Sequence, residues 1–155
     1  MAIAPVRRAS ADDAGVVAQL LHDFNTEFDT ESPGPAALRE RLTDLLAGPA
    51  TFALLGGEPV VGLALVTLRP NVWYPGPVAL LDELYVAPAH RGSGIGGAII
   101  ERLVEECAAA GVSTIEVNVD EGDVDALRFY DRHGFHLLQP DTGERAFYLS
   151  RELGV

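Results

Sequence analysis

Residues 90 to 97 read HRGSGIGG, and the stretch after them, AIIERLVEECAA, repeats apolar side chains at helical spacing. Ordering Gly92, Gly94, Gly96 and Gly97 costs backbone entropy, a cost a chain bears where bare peptide amides must come close to something. At the mouth of a helix those N–H groups add to the positive end of the dipole, which makes an anion cradle suited to a diphosphate. The middle of the chain is thereby committed to a strand, a loop and a helix: VALLDELYV (78–86), closed by Pro88, then a helix from about Gly94 to Ala110 that Gly111 ends.

The rest of the chain supplies elements of matching kind. A short strand around Pro5 to Arg8 precedes Ser10, an N-cap for a helix running to about Phe28, in which Val16, Val17, Leu20, Leu21 and Phe24 keep helical period. DTESPGP breaks that helix, and AALRERLTDLLAG makes a second one. TFALLG and PVVGLALVTL, separated by Gly56, Gly57 and Glu58, read as a hairpin; RPNVWYPGP is a loop. STIEVNV is a strand, DVDALRFYDRH a helix stopped by Gly134, and FHLLQ and RAFYLS two closing strands. The order β-α-α-β-β-β-α-β-α-β-β predicts an α/β fold, a mixed sheet with helices on both faces. At 155 residues this is the size of one domain, spanning 1–155.

Charge narrows the partners. A net charge of −12 repels nucleic acid and anionic lipid surfaces and favours cations. Cys107 is the only cysteine, so neither an internal disulfide nor a thiolate metal cluster is available, and its helical spacing with Ile99, Ile100, Leu103 and Val104 places it in the core. MAIAPVRRAS has no signal-peptide h-region, and no run approaches the ~20 apolar residues of a membrane span, so the cytoplasm is the expected compartment. His22, His90, His133 and His136 stand at no metal or triad spacing; the expected metal set is none.

Which anion the cradle serves is the decisive question. Gly92, Gly94 and Gly97 satisfy G-x-G-x-x-G with Glu116 downstream, but Ala87 to Arg91 intervene between the strand and the first glycine, and too little chain follows for a dinucleotide fold. A Walker loop fails because no lysine followed by serine or threonine comes after the glycines.

Arg91-Gly92-Ser93-Gly94-Ile95-Gly96 resembles the R/Q-x-x-G-x-G/A motif of the GNAT superfamily of acyl-CoA N-acyltransferases. LYVAP before it and ALRFYDRHGF after it are similar to the superfamily's other two signatures at their usual spacing, so the resemblance covers about Leu81 to Phe135 by motif and the remainder by element order. It implies a mostly antiparallel sheet, acetyl-CoA as cofactor, and a loop of Arg91, Gly92, Ser93, Gly94, Ile95, Gly96 and Gly97 that grips the pyrophosphate of coenzyme A. The backbone of Leu84, Tyr85 and Val86 is then expected beside the thioester, with an N–H near Val86 polarising its carbonyl. The strand edge diverging from STIEVNV would bond the pantetheine amides, with Asn118 adding a side-chain contact. One position departs from the superfamily pattern: Asp123 stands where asparagine is common.

Amide formation needs a neutral amine, yet primary amines with pKa near ~10 are protonated at neutral pH. Asp82 and Glu83, on the strand leading to the loop, are the expected proton acceptors, directly or through water. Strict alternation would turn at most one of them into the cleft. The spermidine/spermine acetyltransferases are similar at this strand, with an acidic pair whose first member lies near the reacting amine, which favours Asp82. Tyr130 occupies the position at which the superfamily often places the acid that protonates the departing thiolate.

On the acceptor side, FNTEFDTESPGP brings Phe24, Glu27 and Phe28, and RPNVWYPGP brings Trp73 and Tyr74; carboxylates among rings suit a cationic amine. The expected activity is transfer of acetyl from acetyl-CoA to a primary amine by direct attack, on a small cationic amine or on a peptide lysine or N-terminus. A non-catalytic acyl-CoA-binding regulatory module is the alternative of a different class, and an NAD-dependent oxidoreductase a third. Edge strands near RAFYLS leave a homodimer open.

Overall fold

The computed structural model describes residues 4 to 154. Contacts gather them into two compact units, one ending at Val117 and one beginning at Asn118. The first is built on a five-stranded sheet in sequential order: β1 (Val6–Arg8), β2 (Thr51–Gly56), β3 (Gly62–Arg69), β4 (Val78–Val86) and β5 (Ile115–Val117). The first four strands pair antiparallel, and β5 joins β4 in parallel. The same unit holds α1 (Ala14–Glu27), α2 (Pro35–Ala47) and α3 (Ile95–Ala109).

Helices cover both faces of the sheet, as the element order predicts. On one face Ala53, Leu55, Leu63 and Tyr85 join Val17, Ala18 and Leu20 of α1 and Leu42 of α2 in a single apolar cluster. On the other, α3 seats Ile95 and Ile99 over Gly56 and Gly62, where a Cβ on either glycine would come within 3.0 Å of an isoleucine side chain. β2 is therefore buried along its whole length, and TFALLG reads as a continuous apolar run rather than an alternating one. Leu54, Leu55, Leu63, Leu81, Ile99 and Leu103 are fully enclosed, each worth roughly 2 kcal/mol of burial. Cys107 is buried among them, and burial, with Glu106 nearby, pushes its thiol pKa up.

Several boundaries differ from the sequence expectation for local reasons. Ser10 caps a short 3-10 turn (Ala11–Asp13) in a capping box with Asp13, and the α-helix begins only at Ala14. β3 begins at Gly62 rather than at Pro59, which has no N–H to give a ladder; Val61 N instead donates to Gly56 O and closes the turn. β5 shortens to Ile115–Val117.

The C-terminal unit carries α4 (Val124–Arg132). The two closing strands expected in FHLLQ and RAFYLS are reduced to one bridge, Leu138 to Arg145, beside a turn in which Gln139 N donates to Glu144 O. Two short segments joined by a turn are marginal as a ladder without a third strand or a helix to pack on. Phe147, Tyr148 and Leu149 are accordingly exposed. No helix among the described residues is long and apolar enough to cross a membrane.

One ionic contact fixes the entry to α1. Both guanidinium ends of Arg7 meet the Asp13 carboxylate at 2.9 Å, and Ser10 N donates to it at 2.8 Å. The Arg7 bond first, and the Ser10 bond second, lower the Asp13 pKa from 3.8 to about 2. A depressed carboxylate pKa contributes stability above the unfolded value that is lost as pH falls through the folded one. Asp13→Ala is expected to cost about 1 kcal/mol at pH 7, shrinking as pH drops from 4 towards 2, as measured by urea unfolding across that range.

Candidate active site

The pairing of β3 with β4 breaks step beside the acidic pair. Leu65 faces Glu83, the next residue Val66 faces Leu81, and Asp82 is the extra residue of a bulge. At such a bulge two residues oppose one and side-chain alternation is interrupted. Glu83 stays on the side of Leu65 and Tyr85, the face covered by α1, whereas Leu81 lies with Val66 on the α3 side. Thr67, two residues beyond Leu65 on the same face, donates its hydroxyl to Asp82 Oδ2. Where strict alternation would separate the pair, the bulge brings both carboxylates to one side of β4. Burial first, and the Asp82 charge second, push the Glu83 carboxyl pKa up. Asp82 is exposed and Glu83 half-buried. Beside them Thr67, Arg69, Pro70, Val78, Leu80 and Glu116 line a shallow hollow of about 200 Å³.

The parallel ladder with β5 ends at Leu81 and Val117, while β4 continues to Val86 with only β3 paired to it among the described strands. Leu84, Tyr85 and Val86 occupy this free-running end. It leads through a turn (Pro88–His90) into the glycine loop. Gly92 and Gly94 have φ of +76° and +88°, a conformation that side chains disfavour, and no atom lies within 4 Å of where a Cβ would stand on either. The Ser93 hydroxyl donates to His90 O, and Gly94 caps α3, its carbonyl accepting from Ala98 N at 3.0 Å. Among the described residues, no protein oxygen accepts from the N–H groups of 92 to 97. An open, glycine-walled row of unpaired donors at a helix mouth fits a diphosphate.

Arg91 is placed differently from expectation. Its Nη1 and Nη2 donate to the two oxygens of Glu27 at 2.8 Å each, and its Nε donates to Val86 O at 2.9 Å. Tyr85 OH donates to Glu27 Oε1 at 3.1 Å. The Arg91 bonds first, partly opposed by desolvation, hold the Glu27 carboxyl below its usual range; burial, then Glu27, pushes the Tyr85 phenol up. The Phe24 ring stacks on Tyr85 at 4.8 Å and meets Phe28 edge-on at 5.4 Å. Glu27 and Phe24 are thus joined to the β4 end and the glycine loop, a link between residues far apart in sequence that no local pattern announced.

Phe28 is left exposed, at the start of a segment folded back on α1 by Asn25 Nδ2, which donates to Glu31 O, and by the His22–Ser32 contact. Trp73 and Tyr74 are also exposed, on a loop whose backbone amides at 73 and 74 donate to Asn71 Oδ1. That loop is seated by Gly76, where a Cβ would collide with the backbone of Gly111. Thr67 is the functional neighbour that sequence reasoning missed, since only the register of β3 against β4 brings it to Asp82. In the C-terminal unit Asn118 is exposed, and the Tyr130 ring sits edge-on between Phe129 and Phe135, at 5.3 Å from each. Asp123, the departure from the superfamily pattern, caps α4 by accepting from Ala126 N at 3.1 Å.

The model of the Acetyltransferase (GNAT) family matches residues 17–135, and the chain belongs to that family. It is similar to the thialysine N-epsilon-acetyltransferase of Bos taurus, 27% identical over 98% of this chain and 95% of that protein. It is likewise similar to the aminoalkylphosphonate N-acetyltransferase of Salmonella typhimurium, 28% identical over 87% and 86%. Among solved structures, a protein of Arthrobacter sp. FB24 assigned as an acetyltransferase superimposes with a TM-score of 0.92 at 48% identity, covering 99% of this chain and 98% of the other. By class the protein is an acyl-CoA-dependent N-acetyltransferase.

The raised Glu83 carboxyl carries a sign that stability measurements can read. A carboxyl whose folded pKa exceeds its unfolded one binds its proton more tightly when folded, so stability falls as pH rises through that interval. Glu83→Gln removes the penalty and is expected to raise Tm at pH 7, with the gain over wild type vanishing near pH 4; calorimetric melts at the two pH values check it.

Proposed function

We propose that the protein acetylates a small cationic primary amine, working as a single catalytic domain with acetyl-CoA as donor. The observation that carries this reading is the run of N–H groups from 92 to 97 at the head of α3 that meet no protein acceptor among the described residues, directly downstream of a strand end that has no second neighbour among the described strands. Gly92, Ser93, Gly94, Ile95, Gly96 and Gly97 would hold the diphosphate, and the backbone of 84 to 86, with Asn118, the pantetheine arm. Acetyl-CoA, when bound, supplies the thioester that the amine attacks.

The chain's own groups manage the protons. The sequence favoured Asp82 as acceptor; the structure supports Glu83, whose burial raises its proton affinity, while Asp82 already accepts from Thr67. Glu83 takes the ammonium proton, Asp82 keeps the local field negative, and the neutral amine forms the C–N bond as the C–S bond breaks, the second proton that the nitrogen sheds passing to water, which in turn reprotonates Tyr130. Tyr130, assigned through the motif that contains it, returns a proton to the thiolate. The hollow bordering Thr67 offers apolar wall from Val78 and Leu80 to the body of the amine. Small amines are the named substrates of the relatives from Bos taurus and Salmonella typhimurium, which supports this class over peptide amines. Self-association through Phe147, Tyr148 and Leu149 belongs to the same reading, and sedimentation equilibrium measures it.

A panel of polyamines, amino acids, aminophosphonates and lysine peptides, read by thiol release, should return small amines as the best acceptors. No release with any of them would overturn the proposal. Glu83→Gln is expected to lower kcat/KM by about 10²–10⁴ at pH 7, against a smaller loss for Asp82→Asn; the reverse ranking returns the acceptor role to Asp82. Tyr130→Phe should reduce turnover while the calorimetric heat of acetyl-CoA binding persists, and unchanged turnover would reduce Tyr130 to packing.

A further inference from the structure

The motif residue Arg91 heads a loop expected to hold an anion, yet its charge is spent on the protein itself. Each of its three guanidinium nitrogens donates to the protein, two to Glu27 and one to Val86 O. Glu27 is the last residue of α1, and its Oε1 is also bonded by Tyr85, whose ring is buried under α1 against Phe24. The Arg91 guanidinium lies over that ring at 5.6 Å. One carboxylate therefore ties together the end of a helix, the last residues of β4 and the first residue of the glycine loop.

We propose that Glu27 is a positioning residue for coenzyme A: by holding the Arg91 fork it sets the height and direction of the peptide N–H row that follows. The inference rests on the reading of 92 to 97 as the diphosphate cradle. Its logic is geometric. The loop has two glycines at positive φ, and the side-chain bond of its own that restrains it runs from Ser93 back to His90 O, before the glycine row. A bidentate pair is directional, so it fixes Arg91 in orientation as well as position. The Nε bond to Val86 O extends the same constraint to the strand end expected beside the thioester. Glu27 thus serves the donor site and not, as the sequence suggested, the acceptor amine.

Electrostatics and positioning predict opposite signs here, which makes the inference testable. Were Arg91 simply a cation near the diphosphate, Glu27→Gln would free its charge and tighten coenzyme binding. Under the proposal Glu27→Gln weakens it, by roughly tenfold for loss of preorganisation. The experiment is isothermal titration of acetyl-CoA into wild type, Glu27→Gln, Arg91→Gln and the double variant. Each single variant should weaken binding about tenfold and the double no more than either, since both remove one contact. Arg91→Lys, which keeps the charge and loses the fork, should bind as weakly as Arg91→Gln. Tighter or unchanged binding by Glu27→Gln, additive losses in the double variant, or wild-type affinity in Arg91→Lys would each overturn the inference. A lower binding stoichiometry with unchanged affinity would also overturn it, because it reports unfolding and not loop geometry. Absence of binding by wild type would instead sink the cradle reading on which it rests.

Discussion

A folded chain pairs nearly all of its peptide N–H and C=O groups, because leaving one bare in a dry place costs as much as losing a hydrogen bond. In this protein the strand and loop between Asp82 and Gly97 depart from that rule in sequence. β4 outruns its parallel neighbour after Leu81, and the amides of 92 to 97 meet no protein acceptor among the described residues. Those groups can be left open only where water or a ligand completes them. The sheet and the helices on both its faces serve to hold that stretch of backbone where it can be reached.

The bulge at Asp82 sits at the place where β4 parts from β5. A bulge bends and twists its strand locally, so the same feature accompanies the divergence and turns two consecutive carboxylates to one face. The cost appears in Glu83, whose burial beside a second acid opposes its ionised form.

Much of the fold was legible in local pattern. The helical period of Val17, Leu20 and Phe24, the glycines around the β2–β3 turn, and the continuous apolar run of TFALLG each translated into the element expected, because side-chain spacing and turn chemistry act over a few residues. What local pattern did not give was of two kinds. Phe135 to Gln139 and Arg145 to Ser150 have strand-like composition but form only one bridge, since a ladder depends on what lies alongside. The bonds of Glu27 to Tyr85 and Arg91, and the stacking of Phe24 on Tyr85, join residues far apart in sequence, which no local pattern announces.

By itself, then, the order of residues determined the glycine-walled helix mouth and the presence of an acidic pair one strand before it. Glycine's freedom at positive φ and the charge of a carboxylate are properties of the residue alone. Only the tertiary structure decided that Asp82 and Glu83 share a face, that Thr67 holds one of them, and that Arg91 grips Glu27. Each of these depends on strand register or on a contact across tens of residues, and such contacts exist only once the chain has closed on itself.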